Sequence, residues 1–326
     1  MKSHFITDLA DGQAVVSQFL VREKEIRTSP RTGKSWLELS LGDRSGTISA
    51  KMWDNFEVLV KTFERDDVVQ IRGRVKLYNG RKELTLEQII PASDRDYDIG
   101  DFLPHTKEDV GKLWSQLLEY ANSIVNPWLK KLVNSIIGDP TVAARFKRAP
   151  AAKVMHHAYI GGLLEHVVGL CGLAKQVAQH YAELRLDLLL TVAILHDVGK
   201  LDELCYDRSI GYTTEGQLLG HIVMELETVS KAMEALEGFP ANLKTVVQHL
   251  LISHHGQYEF GSPKLPMIRE AMVFHYLDDM DSKMAAVRAS LATDSGEEEW
   301  STYSPALGRK FLRLDEFLKA PSSGTH

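Results

Sequence analysis

Along the first ninety positions apolar and polar side chains alternate with period two. "SWLELSLGD" (35–43), "GTISAKMWD" (46–54), "DVVQIRGRVKLY" (67–78) and "KELTLEQII" (82–90) all follow this rhythm, that of strands buried on one face. Asn79-Gly80, between the last two runs, is a type I′ hairpin signal, and "GDRSG" (42–46) turns the pair before them. A helical break falls near "NFEVLVKTFE" (55–64). From Thr106 onward the period becomes helical. "EDVGKLWSQLLEYANSIV" and "PWLKKLVNSII" are amphipathic, the second with Pro127 in its first turn. Between the two styles, "PASDRDYDIGDFLP" (91–104) has no period and reads as a linker, and the terminal "SSGTH" as a frayed end.

These patterns predict a multi-domain β plus α chain. Residues 1–92 would form a small Greek-key β-barrel of the OB type from five or so strands, 93–105 a linker, 106–318 an all-α domain and 319–326 a tail. Strand parity assigns Leu37, Leu39, Leu41, Ile48, Ala50, Met52, Val69, Ile71, Val75 and Leu77 to the barrel interior. The opposite parity holds Trp36, Lys51, Trp53, Arg72, Arg74, Lys76 and Tyr78. Outward rings interleaved with cations offer planes for bases and charges for phosphates, so this face is a candidate single-stranded nucleic-acid surface. The plainer alternative is that the tryptophans pack on the second domain and the basic groups are merely solvated.

Composition narrows the class. The 326 residues are 44% hydrophobic and 25% charged, as in a soluble globular chain with room for two or three domains. The apolar runs are too short for a bilayer, and "MKSHFITDLADG" lacks the apolar core of a signal peptide. Cys171 and Cys205 are the only cysteines, which leaves neither a disulfide framework nor a thiolate zinc site, and a reducing cytoplasm is the expected location. Net charge is −6. Of 38 basic and 44 acidic residues, 16 and 16 fall within residues 1–98, so the whole acidic excess lies in the helical part. Such a domain suits cations better than polyanions unless metal ions sit between.

Most of the 13 histidines lie between residues 156 and 275, each emerging from a strongly apolar helical segment. His166 lies in "GGLLEHVVGL", His196-Asp197 ends the run "LLLTVAIL", and His221 lies in "EGQLLGHIVMEL". His254-His255 closes "VVQHLLISHHG", while His275, Asp278 and Asp281 share one face of "AMVFHYLDDMDSKM". One such histidine is ordinarily a satisfied core residue. Five helices carrying unmatched polar groups would forfeit the fold's stability unless the groups converge on a metal. Imidazole and carboxylate without thiolate suit Mn²⁺ first, with Fe²⁺, Co²⁺ or Zn²⁺ as alternatives to it, rather than Ca²⁺; the number of ligands favours two ions.

His166, His196-Asp197 and Asp278 resemble the H…HD…D signature of the HD-domain phosphohydrolases, and "ILHDVGK" extends the likeness. An OB barrel ahead of "HHAYIGGLLEH", "AILHDVGKLDEL", "YTTEGQLLGHI", "ISHHGQYEFGSPKLP" and "EAMVFHYLDDMDSKM" is similar to the YhaM-type 3′–5′ exoribonuclease family over nearly the whole chain. The resemblance implies that His166, His196, Asp197 and Asp278 bind one ion, and that Asp197 bridges to a second ion held by His221 with His254, His255 or both. It implies in-line hydrolysis of the last phosphodiester of single-stranded RNA, with single-stranded DNA as an alternative substrate, releasing nucleoside 5′-monophosphates.

Lys200 would contact the phosphate, with a salt bridge to Asp197 or Asp202 as the alternative. His157 would touch the substrate or cap a helix, and Lys264, in the loop "YEFGSPKLP", would clamp the terminal nucleotide. Asp279 points about 100° from Asp278 and reads as solvated; Asp281 reads as support for a histidine. Two rival readings remain: a nucleotide phosphohydrolase or cyclic-nucleotide phosphodiesterase with the same site, and a non-catalytic RNA-binding scaffold. Broad apolar helices such as 106–137 leave room for a homo-oligomer.

Overall fold

The computed structural model of the chain describes residues 2–319 apart from Arg31, Asn79, 94–95, 154–156, 207–208 and 293–298. The chain divides into two compact units: Met1–His105 with Tyr206–Ile210, and Thr106–Cys205 with Gly211–His326.

In the first unit, β1 (Ala14–Thr28), β2 (Ser35–Asp43), β3 (Gly46–Met52), β4 (Val68–Tyr78) and β5 (Arg81–Pro91) form a closed barrel in the order β1-β2-β3-β5-β4. The helical break is a single turn, α1 (Phe56–Leu59). β1 is long enough to serve two neighbours. Ala14–Leu20 pairs with β4 and Leu20–Thr28 with β2, and a register shift between Val21 and Glu23 bends the strand from one to the other. Parallel pairing of Ser49–Lys51 with Glu83–Thr85 completes the closure. Phe19, Leu37, Leu39, Leu41, Val69, Ile71 and Val75 fill the interior. The connection "GDRSG" is a two-residue turn closed by the pair Asp43↔Gly46.

Two expectations are corrected here. Leu77 is 53% exposed rather than interior. Ladder pairing of β4 with β1 stops at Ala14↔Arg74; beyond it the tip of β4 meets β5 on one side and, on the other, only the turn before β1, through the backbone of Gly12 and Gln13 and the Asp11 carboxylate. Its hairpin partner Asn79 lies outside the described residues; Gly80 has the positive φ, 75°, that such turns need. The expected linker is also mostly part of the barrel unit. Pro91 still belongs to β5, Ile99–Asp101 form a 3₁₀ turn capped by Asp98, and Phe102 and Leu103 are fully buried. Arg22, at the β1 shift, donates from Nη2 to the Phe102 carbonyl at 3.0 Å.

The second unit is helical: α2 (Val110–Ser123), α3 (Pro127–Ile137), α4 (Pro140–Phe146), α5 (Gly162–His180), α6 (Leu186–Leu195), α7 (Lys200–Glu203), α8 (Thr214–Leu219), α9 (His221–Ala235), α10 (Ala241–Ile252), α11 (Arg269–Ala292) and α12 (Leu314–Lys319). A two-stranded ribbon, β6 (Leu204–Cys205) with β7 (Gly211–Tyr212), interrupts them. Side-chain caps from Asp109, Asn126 and Asp139 start α2, α3 and α4, the last two with proline in the first turn. α6 is the central helix. Every residue from Leu188 to Leu195 is buried, and α2, α3, α5, α10 and α11 pack around it. Residues 320–326, which include the expected frayed end, lie outside the described residues.

The parity assignment makes a stability prediction within one strand. Ile71→Ala, at 1% exposure, is expected to cost about 2–5 kcal/mol, and Leu77→Ala no more than about 0.5 kcal/mol, in chemical denaturation of the full chain. Equal losses would contradict the barrel register.

Candidate metal centre and nucleic-acid face

The centre is built around the C-terminal end of α6. His196 caps that helix, Asp197 follows it, and the chain turns through Gly199 into α7. A Cβ on Gly199 would stand 2.2 Å from the His221 carbonyl oxygen and 2.8 Å from the Glu225 nitrogen, so glycine is what lets the first turn of α9 lie against the His-Asp pair. α5 brings His166, the start of α9 brings His221, and α11 brings Asp278 and Asp281. After α10, the turn Ser253–Gly256 delivers His254 and His255. Gly256 has φ of 75°, and a side chain there would meet the His275 ring.

These groups converge. His166 Nε2 is 3.2 Å from Asp278 Oδ1 and 3.9 Å from Asp197 Oδ2. His196 Nε2 is 3.3 Å from Asp197 Oδ2, and His221 Nε2 is 3.7 Å from Asp197 Oδ1. Ligand atoms of His221, His254 and His255 lie within 4.8 Å of one another, as do those of His166, His196 and Asp197. All seven expected ligands are therefore in one place, with Asp197 between the two sets.

The far side of each ring shows which nitrogen is available. Nδ1 of His196, His254 and His255 donates to the carbonyls of Ala193, Leu251 and Phe260 at 3.2, 2.6 and 2.7 Å. His221 Nδ1 is 3.2 Å from Glu203 Oε1, and His166 Nδ1 is 2.7 Å from Asp281 Oδ2. Burial opposes ionisation of Glu203 and Asp281, but the hydrogen bonds they accept, from His221 and from His157 and His166, prevail and hold both below the usual carboxylate range. All five partners thus accept, all five Nδ1 atoms donate, and a neutral ring presents its Nε2 lone pair inward. Among the described residues, Nε2 of His196, His221 and His254 and Oδ1 of Asp197 are buried with no hydrogen-bond partner. Buried lone pairs without donors are costly, and a cation is the partner this donor set fits.

Electrostatics give the same polarity. Despite burial, His196 and Lys200 keep Asp197 well below the carboxylate range, and the His166 hydrogen bond does so for Asp278. Burial lowers His166, but its bonds to Asp278 and Asp281 outweigh this and raise it to about 9. Burial and neighbouring imidazoles push His254 and His255 down. Lys200 Nζ lies 2.7 Å from Asp197 Oδ2, so without an ion the salt bridge is the arrangement present, and Asp202 pairs with Arg145 instead.

A cavity of about 410 Å³ opens beside Asp197, Lys200, His255 and Asp278. Two expected substrate contacts are not on it. His157 is 5% exposed, with Nδ1 2.8 Å from the Tyr159 hydroxyl and Nε2 3.2 Å from Asp281, so it stands behind His166 as a support. Lys264 is exposed at the surface, and from its loop Phe260 reaches the cavity instead. Asp279, expected to be solvated, lines the cavity and accepts from Lys283 at 2.7 Å. Glu225 was missed altogether: fully buried, one turn after His221, with ligand atoms of Glu225, Asp197 and His221 within 4.8 Å.

On the barrel, Trp36 and Trp53 stack with centroids 5.3 Å apart, and Tyr78 is 66% exposed. The cations around them are less available. Lys51 is bound to Glu83 at 2.7 Å, Arg74 donates to the Gly12 carbonyl at 2.9 Å, and Arg72 is exposed.

Proton competition provides a check on the centre. An ion bound at His166 would displace the ring's proton, which the metal-free ring holds up to about pH 9. Below that pH, Mn²⁺ affinity should therefore fall as pH falls, by about tenfold per unit for this one proton, and it should level off above. Titration calorimetry in buffers of different ionisation enthalpy reads both affinity and proton release; an affinity flat between pH 7 and 9 would contradict the assignment.

Comparison with known proteins places both units. Residues 20–92 match the family described as OB-fold nucleic acid binding domain, and residues 163–283 match the HD domain. The chain is 37% identical over 281 residues to the 3′–5′ exoribonuclease YhaM of Bacillus velezensis, covering 86% of this chain and 88% of that protein. The Bacillus subtilis protein of the same name is 37% identical over 270 residues, 82% and 85% of the two chains, and that of Bacillus licheniformis 36% over 270. No helix among the described residues is long and apolar enough to cross a membrane. With a closed barrel, an HD-domain centre and relatives this similar over most of their length, the chain belongs to the YhaM family of 3′–5′ exoribonucleases.

Proposed function

We propose that the chain is a metal-dependent 3′–5′ exonuclease that shortens single-stranded RNA, with single-stranded DNA as an alternative substrate, using two divalent ions and releasing nucleoside 5′-monophosphates. The observation that carries the reading is the inward ring of Nε2 and carboxylate atoms, their outer nitrogens all engaged, at the mouth of a nucleotide-sized cavity. His166, His196, Asp197 and Asp278 would hold one ion, and His221, His254 and His255 the other, with Asp197 shared. The bound ions, Mn²⁺ foremost, supply a nucleophilic water at neutral pH and neutralise phosphate charge.

The chain's own groups supply the rest. Glu203, Asp281 and the three carbonyls keep the imidazoles in one tautomer and orientation. Lys200, which lines the cavity beside Asp197, would donate to a non-bridging phosphate oxygen. The cavity receives the terminal nucleoside, with Phe260 as a stacking surface and Lys283 and Asp279 within reach of ribose hydroxyls. The barrel would hold the upstream strand by stacking on Trp36, Trp53 and Tyr78, helped by Lys51, Arg72 and Arg74.

With Mn²⁺ and 5′-end-labelled RNA the chain should produce a ladder of shortened products. Hydrolysis of mononucleotides or cyclic nucleotides alone would overturn the polymer reading. Asp197→Asn should abolish turnover while the far-ultraviolet spectrum stays native. Trp53→Ala should weaken binding of single-stranded RNA by about 1–3 kcal/mol yet leave cleavage of very short substrates intact; unchanged binding would mean the outward rings face no RNA.

A further inference from the structure

We infer that Glu225 is a carboxylate ligand of the second ion, alongside Asp197 and His221. The inference rests on the two-ion reading above and adds a residue to it.

Glu225 lies four residues after His221, on the same face of α9, and its side chain is completely out of solvent. Neither of its carboxylate oxygens has a hydrogen-bond partner among the described residues. Its ligand atom lies within 4.8 Å of those of Asp197 and His221, and its Oε1 is 3.5 Å from His254 Nδ1, whose proton goes to the Leu251 carbonyl. A buried carboxylate with both oxygens unmatched is one of the least tolerable groups a core can hold, unless a cation stands against it. Among the described residues none does so. Lys200, whose charge acts on Glu225, is already on Asp197. Burial and the charges of Asp197, Asp278 and Glu203 push Glu225 above the usual carboxylate range.

Charge is also unevenly shared between the two ion positions. The first has Asp278 as well as the shared Asp197, whereas the second is otherwise lined by the imidazoles of His221, His254 and His255. Glu225 brings the missing negative charge to that half. Gly199 is part of the same device: the close approach it permits sets both the His221 carbonyl and the Glu225 backbone against the His-Asp turn.

The test is equilibrium dialysis of the full chain against a series of free Mn²⁺ concentrations, with metal counted per chain, followed by visible absorption of the Co²⁺-loaded protein. The natural chain should bind in two steps. Glu225→Gln should keep the first and weaken the second by more than about 100-fold, the upper range for residues that only support a ligand, with loss or change of the second ion's Co²⁺ bands. Two unchanged steps would overturn the inference while leaving the two-ion reading intact. A second step weakened without any change in the Co²⁺ bands would also overturn it, because Glu225 would then act through His254. A single step in the natural chain would remove both readings. The metal-free chains give a second readout. Glu225→Gln should melt no lower than the natural chain, and a variant that fails to fold without metal would assign Glu225 to the scaffold instead.

Discussion

Removing an imidazole and a carboxylate from water at the end of a fully buried helix is the constraint around which the helical unit is organised. α6 has no solvent-facing side from Leu188 to Leu195, so the residues that follow it begin at the depth of the core. Their desolvation has to be offset by charges and dipoles brought from other elements. α5, α9, α11 and the turn after α10 each contribute one or two such groups, and each imidazole is held at Nδ1 by an acceptor of fixed position. The scaffold thereby fixes ring orientation before any ion arrives, which keeps the reorganisation needed for catalysis small.

The same constraint explains how the site survives without ions. Lys200 sits on Asp197, and His166, raised to about 9 between Asp278 and Asp281, carries a proton at neutral pH. Together they place two positive charges where the carboxylates require them, the charge of one divalent ion. The half of the site containing His254 and His255 has no such substitute; burial keeps those rings neutral. The two halves therefore differ in kind. On the two-ion reading, one would exchange a proton and an ammonium for an ion, and the other would go from empty lone pairs to coordination.

Much of this could be read from the chain because the two periodicities are strong. Alternation predicted the barrel strands and their inward residues, and it failed at Leu77, where the partner strand ends before the pattern does. The clustered histidines were visible since polar residues inside apolar helical runs are conspicuous. Glu225 was not, because a glutamate on an amphipathic helix looks like an ordinary solvent-facing residue until the neighbouring helix is known. His157 and Lys264 were misplaced for a related reason. They lie in irregular segments, where spacing says nothing about side-chain direction. Phe102 and Leu103 were hidden inside a stretch whose Pro, Gly and Asp content reads as a connector.

Charge finally connects the two units to one polymer. The helical part carries the acidic excess, so a phosphodiester can approach it only where cations stand in between. The barrel carries equal numbers of acids and bases, and Lys51, its basic residue beside the tryptophans, is matched by Glu83. Neither unit has the surplus of positive charge with which proteins grip nucleic acid through its backbone alone. What remains on the barrel is aromatic surface, which holds bases of any sequence and holds only those that are unstacked. On the proposed reading, a chain built this way would select single strands through the barrel and gain its hold on phosphate from ions at the centre, so that strong engagement of the backbone would be confined to the place where it is cut.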